Sequence, residues 1–511
     1  MGSMRAGAAV GIAVFGGVVF SALPDRGGSA RVADGRLAVG YTTEGALRSA
    51  LRTSDAVVVR RLGALHVVEL RTLDAGRLAV TLRHAPGIRF VQRPAARVSL
   101  AEPGVMLASL APRAMWEWQY HAIDEDAVPA AVLRAASSVQ IAVIDTGADL
   151  TAPDLAAKSP SAYNTRTGDA DVRDANGHGT FVASLAAGSV TNNEGIAGSG
   201  GDAQLLVVKA GSPSGSFTDM DEAAGIMYAV DHGAKILNLS VGGPTTSSTE
   251  RRAIQYAVQH GALVVAAAGN EYAQGDPIEY PAALLQPAGS NGVGGVGLSV
   301  TASSASGARA SFANAGSWVS LAAPGEGVFG AISQLSSTAT YPRSPLPGSQ
   351  SGLYGYASGT SFAAPQVAGA AALVWAANPA LTAPQVAEIL KETALGKGRW
   401  TPDLGFGVID VAAAVARAEA GGPGVLLSGS RVDTRAHLTW SGDASKFTLS
   451  LSVDAGPART VLASTPSTST SVTLARGHSY AFTVAALDNS GGTVSTSAPL
   501  TMAIATVRSR R

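Results

Sequence analysis

The segment VQIAVIDTG at residues 139–147 decides the fold of this chain, because an unbroken apolar run ends there on an aspartate and a Thr-Gly turn. Similar apolar runs return in AQLLVVKA (203–210), AKILNLSVGG (234–243) and ALVVAAAGN (262–270), with helical patterns between them. Continuous apolar strands that alternate with helices are typical of a parallel sheet covered on both faces. We therefore predict an α/β domain over residues 116–418, with functional groups at the carboxyl ends of its strands.

A smaller α+β unit is predicted before this domain, over residues 30–105. Its predicted elements are strands at 56–61, 64–70 and 87–92 and a helix that begins at Thr72, with Leu73, Leu78 and Leu82 on one face.

A separate β-sandwich is predicted after the α/β domain, over residues 425–505. A Gly-Gly-Pro-Gly segment ends the helical pattern, and the chain then becomes rich in Ser, Thr and Val with period-two alternation. Tyr480, Phe482 and Val484 alternate along one predicted strand, and Trp440 lies in an earlier one.

The composition excludes several classes of function. The 511 residues carry a net charge of zero and include no cysteine. A disulfide framework, thiolate metal sites and a cysteine nucleophile are therefore excluded. The lack of a basic excess argues against nucleic acid as a partner and favours peptides or proteins.

The N-terminus predicts export. Arg5 precedes an apolar run from Ala6 to Leu23, followed by small and polar residues. This pattern is typical of a signal peptide over residues 1–29, with an N-terminal membrane anchor as the open alternative. We expect the protein to be secreted or held at the cell surface.

Two motifs supply a carboxylate and an imidazole in settings that suit acid–base catalysis. Asp145 ends a buried strand, where a carboxylate can orient an imidazole, although such aspartates also cap helices or bind Mg²⁺ or ribose. His178, in DANGHGTFVAS, lies between glycines at the start of a helical pattern. Helix capping and metal binding remain alternatives for this histidine.

Two further motifs supply a hydroxyl and an amide. Ser361, in YASGTSFAAPQVAGAAAL, begins a long helix, where its backbone N–H is available to bind an oxyanion. Asn270 follows the buried strand LVVAAAG, where an amide can serve the same purpose. The structural alternatives are a serine N-cap and an ordinary Gly-Asn turn. Each of the four motifs is therefore weak evidence alone, and only their combination indicates a catalytic site.

The chain order Asp145, His178, Ser361 is the order found in subtilisin, and the serine does not lie in a G-x-S-x-G motif. On these motifs, residues 116–418 resemble the catalytic domain of subtilisin-like serine peptidases. Phe362 and Gln366 depart from the usual family residues without affecting the triad.

The resemblance implies roles for these residues. Ser361 would attack the scissile carbonyl, His178 would act as general base and then acid, Asp145 would orient His178, and Asn270 would help to bind the oxyanion. Residues 30–105 resemble the propeptide of this family, which acts as an intramolecular inhibitor and is removed by self-cleavage, here between 98 and 116. The C-terminal unit resembles a fibronectin type III module with an accessory role.

The resemblance also implies a substrate-binding site. Ser240, Val241 and Gly242 would pair with the substrate as an added strand. Glu279 falls near the floor of the primary specificity pocket and Glu271 near its rim, and two carboxylates there would favour a basic side chain before the scissile bond.

No cofactor is expected for the chemistry, and a structural calcium ion is left open. Asp154 in TAPDL and Asn193 in TNNEGIAG correspond to parts of a calcium site that is common in the family. We expect a monomer that acts on protein or peptide substrates. A catalytically idle peptide-binding relative and an adhesion protein that works through its β module are the alternatives.

Overall fold

The computed structural model describes most of the chain. The described residues are 35–100, 117–192, 195–344, 353–442 and 444–505. The predicted leader at 1–29 therefore lies outside the described residues. Within the described ranges, no helix combines the length and the apolar character that a membrane crossing requires.

The N-terminal unit is a small α+β structure. Its elements are β1 (Arg36–Tyr41), α1 (Glu44–Leu51), β2 (Val57–Leu62), β3 (Val67–Arg71), α2 (Ala75–Arg83) and β4 (Ile88–Gln92). Within the described residues, the strands form an antiparallel sheet in the order β2-β3-β1-β4. β1 and α1 were not predicted individually.

The predicted start of the second helix is wrong by three residues. The helix begins at Ala75 rather than at Thr72, because the side chain of Asp74 caps its N-terminus. Leu73 is 97% exposed and does not belong to the apolar face, whereas the two later leucines of that face are buried as predicted.

The middle of the chain contains the large α/β unit. Its helices are α3 (Trp118–Ala122), α4 (Ala130–Ala135), α5 (Pro153–Ala156), α6 (His178–Ala187), α7 (Asp219–Asp231), α8 (Ser248–Gln259), α9 (Ala282–Leu285), α10 (Thr360–Ala377), α11 (Ala383–Thr393) and α12 (Val411–Glu419). Its strands are β6 (Gln140–Asp145), β7 (Ser161–Asn164), β8 (Gln204–Lys209), β9 (Ser216–Thr218), β10 (Ile236–Leu239), β11 (Val241–Gly242), β12 (Leu263–Ala267), β13 (Leu298–Ser303), β14 (Leu321–Pro324), β15 (Val328–Ala331) and β16 (Tyr354–Ala357). One further strand, β5 (Ala96–Ser99), follows the N-terminal unit.

Within the described residues, the central sheet has the order β14-β13-β12-β10-β6-β8-β7, and all of its pairings are parallel. Along β6, Ile141 and Val143 join the core that contains α6 and α10, whereas Ala142 and Ile144 join the core that contains α7 and α8. This alternation buries both faces of the sheet. The predicted parallel sheet flanked by helices is confirmed.

The C-terminal unit consists of antiparallel sheets. Its strands are β17 (Leu426–Val432), β18 (Arg435–Ser441), β19 (Lys446–Val453), β20 (Arg459–Thr465), β21 (Ser469–Thr473), β22 (Ser479–Leu487), β23 (Thr493–Thr496) and β24 (Leu500–Ala503). Trp440, Tyr480, Phe482 and Val484 are buried in a common core, as the alternation predicted. The bounds predicted for the separate units of the chain stay predictions.

Candidate active site

Asp145 lies at the carboxyl end of β6, in the interior of the central sheet, and its side chain is fully buried. Its Oδ1 accepts hydrogen bonds from the Thr146 N–H and from His178 Nδ1, both at 2.7 Å. The carboxylate therefore holds the imidazole with Nδ1 as the donor, which leaves Nε2 as the proton acceptor.

The start of α6 is held against this strand by Asp174, a residue that the sequence analysis did not identify. Its carboxylate accepts hydrogen bonds from the Thr146 hydroxyl (2.9 Å) and the Gly177 N–H (2.9 Å), and from the Thr180 N–H and hydroxyl (2.8 and 2.7 Å). Four bonds to one buried carboxylate fix the loop that carries His178.

His178 is the first residue of α6 and is fully buried. The adjacent Gly179 allows the helix to approach the turn after β6, since a β carbon there would lie 2.1 Å from the Gly147 carbonyl oxygen. The Phe362 ring packs against the imidazole with centroids 5.5 Å apart. Among the described residues, Nε2 has no hydrogen-bond partner, so it is available to accept a proton.

Ser361 is the second residue of α10 and is held by Ser240. Pro365 lacks an N–H, so the Ser361 carbonyl cannot accept the usual helical bond from it and instead accepts one from Ser240 Oγ (2.8 Å). Asn238 donates in turn to that hydroxyl (2.9 Å). In this state Ser361 Oγ donates to the Ser240 carbonyl (3.0 Å).

Asn270 follows β12 and is oriented by Thr360, another residue that the sequence analysis did not identify. Its Oδ1 accepts hydrogen bonds from the Thr360 N–H and hydroxyl, both at 2.9 Å. The amide nitrogen then faces the cleft and donates to the carbonyl oxygen of Leu100 (2.8 Å). The Ser361 N–H donates to the same oxygen at 3.3 Å.

Residues 96–100, which follow the N-terminal unit, lie in the cleft like a bound peptide. Within the described residues, β5 is the central strand of an antiparallel sheet with β9 and β11. Val241 pairs with Ser99 and Gly242 pairs with Val98, while the N–H of the next residue, Leu100, donates to the Ser240 carbonyl (3.4 Å). The three residues predicted to pair with substrate therefore pair with a segment of the chain itself.

The side chains of Glu279 and Leu100 both lie next to Gly242 in the cleft. A β carbon on Gly242 would be 2.7 Å from Leu100 Cδ1 and 3.0 Å from Glu279 Oε2, so both side chains border this glycine. Glu271 accepts a hydrogen bond from the Asn270 N–H (2.7 Å). A preference for basic side chains at this pocket stays a prediction, and the residue that the chain itself presents there is a leucine.

Asp154 is hydrogen-bonded to three groups of the described residues. Its carboxylate accepts hydrogen bonds from Asn192 Nδ2 (3.1 Å), the Ile196 N–H (3.2 Å) and the Tyr354 hydroxyl (2.9 Å). Over the described ranges, no three His, Asp or Glu side chains are grouped to hold a metal ion. Asn193 lies outside these ranges, and calcium binding stays a prediction.

The arrangement can support acyl transfer at the Leu100 carbonyl. The Leu100 carbonyl oxygen already accepts N–H groups from Asn270 and Ser361, and the Asp145–His178 pair leaves one imidazole nitrogen available. Within the described residues, Ser361 Oγ is hydrogen-bonded to the Ser240 carbonyl and not to His178. The structure joins Asp145 to His178 directly, and it joins Ser361 and Asn270 through the same oxygen. Leu100 itself was missed, because its role depends on contacts with residues far away in the sequence.

Comparison with known proteins finds sequence similarity to serine proteinases over the large α/β unit. The model of the subtilase family matches residues 136–408. The thermophilic serine proteinase of Bacillus sp. (strain AK1) is 37% identical over 243 residues, which are 48% of this chain and 53% of that protein. Thermitase of Thermoactinomyces vulgaris is 35% identical over 47% of this chain and 75% of its own length. Subtilisin Savinase of Lederbergia lenta is 36% identical over 54% of this chain and 91% of its own length.

A solved structure is similar over a longer range. Fervidolysin from Fervidobacterium pennivorans, a keratinolytic enzyme related to subtilisin, has a TM-score of 0.63 and covers 89% of this chain and 87% of its own. At 21% identity this similarity shows the fold alone. The chain spans about half the length of the first of the curated relatives above and most of the other two. Because the family model matches more than half of the 511 residues, the protein belongs to the subtilase family.

Proposed function

We propose that this protein is a secreted serine endopeptidase that is made as an autoprocessed zymogen. The observation that carries the proposal is the Leu100 carbonyl oxygen, which accepts hydrogen bonds from Asn270 Nδ2 (2.8 Å) and from the Ser361 N–H (3.3 Å). Two such donors stabilise the oxyanion that forms when a nucleophile attacks a carbonyl carbon.

In the proposed reaction, the Ser361 hydroxyl leaves the Ser240 carbonyl and donates to His178 Nε2 instead. Ser361 Oγ attacks the carbonyl carbon and its proton passes to Nε2. Asp145 stabilises the imidazolium. The tetrahedral intermediate then collapses, and the departing amine takes the proton from His178.

Water completes the cycle. It attacks the acyl-serine ester and gives a proton to His178 Nε2, and collapse of the second intermediate releases a carboxylic acid. The Ser361 oxygen recovers its proton from His178. Because the three triad side chains are 0% exposed while the N-terminal unit is docked, this state cannot admit a second substrate.

The docked state supports the zymogen proposal. On the sheet of the N-terminal unit, Ala38 and Val67 share a core with α7 and α8 of the large unit. Arg60 adds polar contacts with the N-terminus of α7, donating to the Met220 carbonyl (2.9 Å) and to Asp221 (2.8 Å). We propose that the unit is a propeptide that inhibits its own enzyme, and that the first cleavage follows Leu100.

Other parts of the proposal concern partners and location. Substrates are proteins or peptides, and we propose a monomer. Export rests on the N-terminal sequence pattern at 1–29. The triad and the oxyanion donors require no metal for these steps, and any bound calcium would have a structural role.

Mass spectrometry of the expressed protein tests this function. In the wild type, the N-terminal unit should be removed, and the mature protein should begin at Ala101 or, if it is trimmed further, at a later residue. The mature protein should then react with a fluorophosphonate probe. Ser361→Ala should remain unprocessed and unlabelled, whereas the exposed Ser306→Ala should behave as wild type. Processing of purified Ser361→Ala, or no labelling of mature wild type, would contradict the proposal.

A further inference from the structure

Arg97 is an arginine whose side chain is buried in the cleft. It lies in β5, three residues before Leu100, and its side chain is 0% exposed. With P1 as the residue that contributes the scissile carbonyl, Leu100 is P1 and Arg97 is P4. A buried guanidinium requires charged or polar partners, because the removal of its hydration is costly.

Two glutamates from the large unit supply these partners. Glu250 Oε1 accepts from Arg97 Nη2 (2.6 Å) and from Nε (3.1 Å). Glu222 Oε2 lies 3.4 Å from Arg97 Nε. The remaining Nη1 donates to the Ala96 carbonyl (2.9 Å), within the peptide strand itself.

The pocket is prepared to receive a cation. Glu222 and Glu250 are 1% and 0% exposed, and Glu250 is held further by the Thr246 hydroxyl (2.6 Å). Over the described part of the chain, neither oxygen of Glu222 accepts a hydrogen bond. The nearby guanidinium is therefore the main group that stabilises the buried charge of this carboxylate. Burial raises the pKa of Glu222 well above its usual range, Glu250 adds to this shift, and Arg97 opposes it.

Both glutamates belong to the enzyme and not to the propeptide. Glu222 lies in α7 and Glu250 in α8, so they remain when the N-terminal unit departs. The acidic neighbour Asp219 binds the peptide backbone instead, since its Oδ1 accepts from the Ala95 N–H (2.9 Å). The strand pairing with β9 fixes which side chain enters this pocket.

We propose that Glu222 and Glu250 form a specificity pocket that selects arginine at P4 of substrates. This inference rests on the proposed peptidase function. Arginine fits better than lysine, because its planar group reaches both glutamates and the backbone carbonyl at once, whereas an ammonium group offers a single centre of charge. A leucine or alanine at P4 would leave two buried carboxylates without a cation.

Peptide cleavage by the matured, wild-type protein tests the proposal. Quenched fluorescent peptides carry residues 95–100 before a constant leaving segment, with Arg, Lys, Leu or Ala at P4. We expect kcat/KM for the Arg peptide to exceed that for the Leu and Ala peptides by at least about 100-fold, with Lys between them, on the scale of breaking a buried ion pair. Equal cleavage of the four peptides by probe-reactive enzyme would overturn the P4 pocket while leaving the peptidase function intact. No cleavage of any peptide by that enzyme would overturn the peptidase function itself.

Isosteric variants assign the preference to the two side chains. Glu222→Gln and Glu250→Gln should each reduce the Arg-to-Leu ratio at P4 by about 10-fold or more, because each amide removes a negative charge that faces the guanidinium. Cleavage of the Leu peptide reports whether a variant has folded. The exposed Glu419→Gln on α12 is the matched control and should retain the wild-type ratio. An unchanged ratio in both pocket variants would assign the preference elsewhere and overturn the role of these glutamates.

Discussion

Removal of the Thr360 hydroxyl should slow catalysis without weakening substrate binding. That hydroxyl donates to Asn270 Oδ1 (2.9 Å) and accepts a hydrogen bond from the Gly269 N–H (3.1 Å). Thr360→Val keeps the shape of the side chain but loses both bonds. The Thr360 N–H still holds Asn270 Oδ1 at 2.9 Å, so the amide keeps one of its two anchors.

The magnitude follows from these bonds. Loss of one neutral hydrogen bond that orients the amide corresponds to about 1 kcal/mol, or roughly a 5-fold decrease in kcat. An upper limit is set by complete loss of the amide donor, which costs about 10²–10³ in kcat in subtilisin itself. We therefore expect kcat to fall by roughly 5- to 50-fold with a smaller change in KM, because the bond from Asn270 to the carbonyl oxygen is stronger once that oxygen carries the negative charge of the transition state. The Gly269 N–H, left buried without its acceptor, should also lower the free energy of unfolding by about 1–3 kcal/mol.

Steady-state kinetics on the Arg P4 peptide, with thermal denaturation of the same samples, checks this prediction. Thr360→Ser is the matched control, since it keeps the hydroxyl and should retain most of the activity. A folded Thr360→Val enzyme with wild-type kcat would refute the orienting role. So would a Thr360→Ser enzyme as slow as the valine variant, because the hydroxyl would then not be the relevant group.

Three other perturbations address separate parts of the molecule. Asp174→Asn replaces an acceptor of four hydrogen bonds with an amide that can donate, and both kcat and the melting temperature should fall, by an amount equivalent to about 2–4 kcal/mol of stability. Burial raises the pKa of Glu125 to about 8, so the folded state binds a proton that the unfolded state has released. Stability should therefore decrease as the pH rises from about 5 to 8, and Glu125→Gln, but not the exposed Glu419→Gln on α12, should flatten this decrease in pH-dependent thermal melts. Glu279→Gln should lower the ratio of kcat/KM for Arg relative to Leu at P1, and an unchanged ratio would remove Glu279 from the specificity pocket.

The features that were predicted correctly from sequence are those encoded within one short segment. The strand that ends on Asp145 is recognisable because its apolar run is continuous and its polar end is abrupt. The start of α2 was misplaced, because Thr72 and Asp74 are both good capping residues and only the tertiary contacts decide between them. Thr72 donates its hydroxyl to Asp55 (2.8 Å), which leaves Asp74 to cap the helix.

The features that were missed depend on partners distant in sequence. Thr360 stands next to Ser361, so the Gly-Thr-Ser motif contained a signal for it, but its bond to Asn270 appears only when α10 meets the end of β12. Arg97 resembles any charged residue of an exposed strand until the docking of β5 brings it against Glu250. Periodicity reports which face of a strand is buried, and it does not report the chemistry that the buried face will meet.

If the proposed function holds, the same contacts would let one cleft process the chain and then remain inhibited. Leu100 makes the contacts expected of P1, so the docked tail is arranged for cleavage rather than against it. After cleavage, the strand pairing of β5 and the Arg97 ion pairs would persist, because none of them involves residues beyond Leu100. The N-terminal unit also retains its core with α7 and α8. Release of the proposed propeptide, rather than cleavage of the bond, should therefore limit activation, and we expect the pocket that holds Arg97 to slow this release.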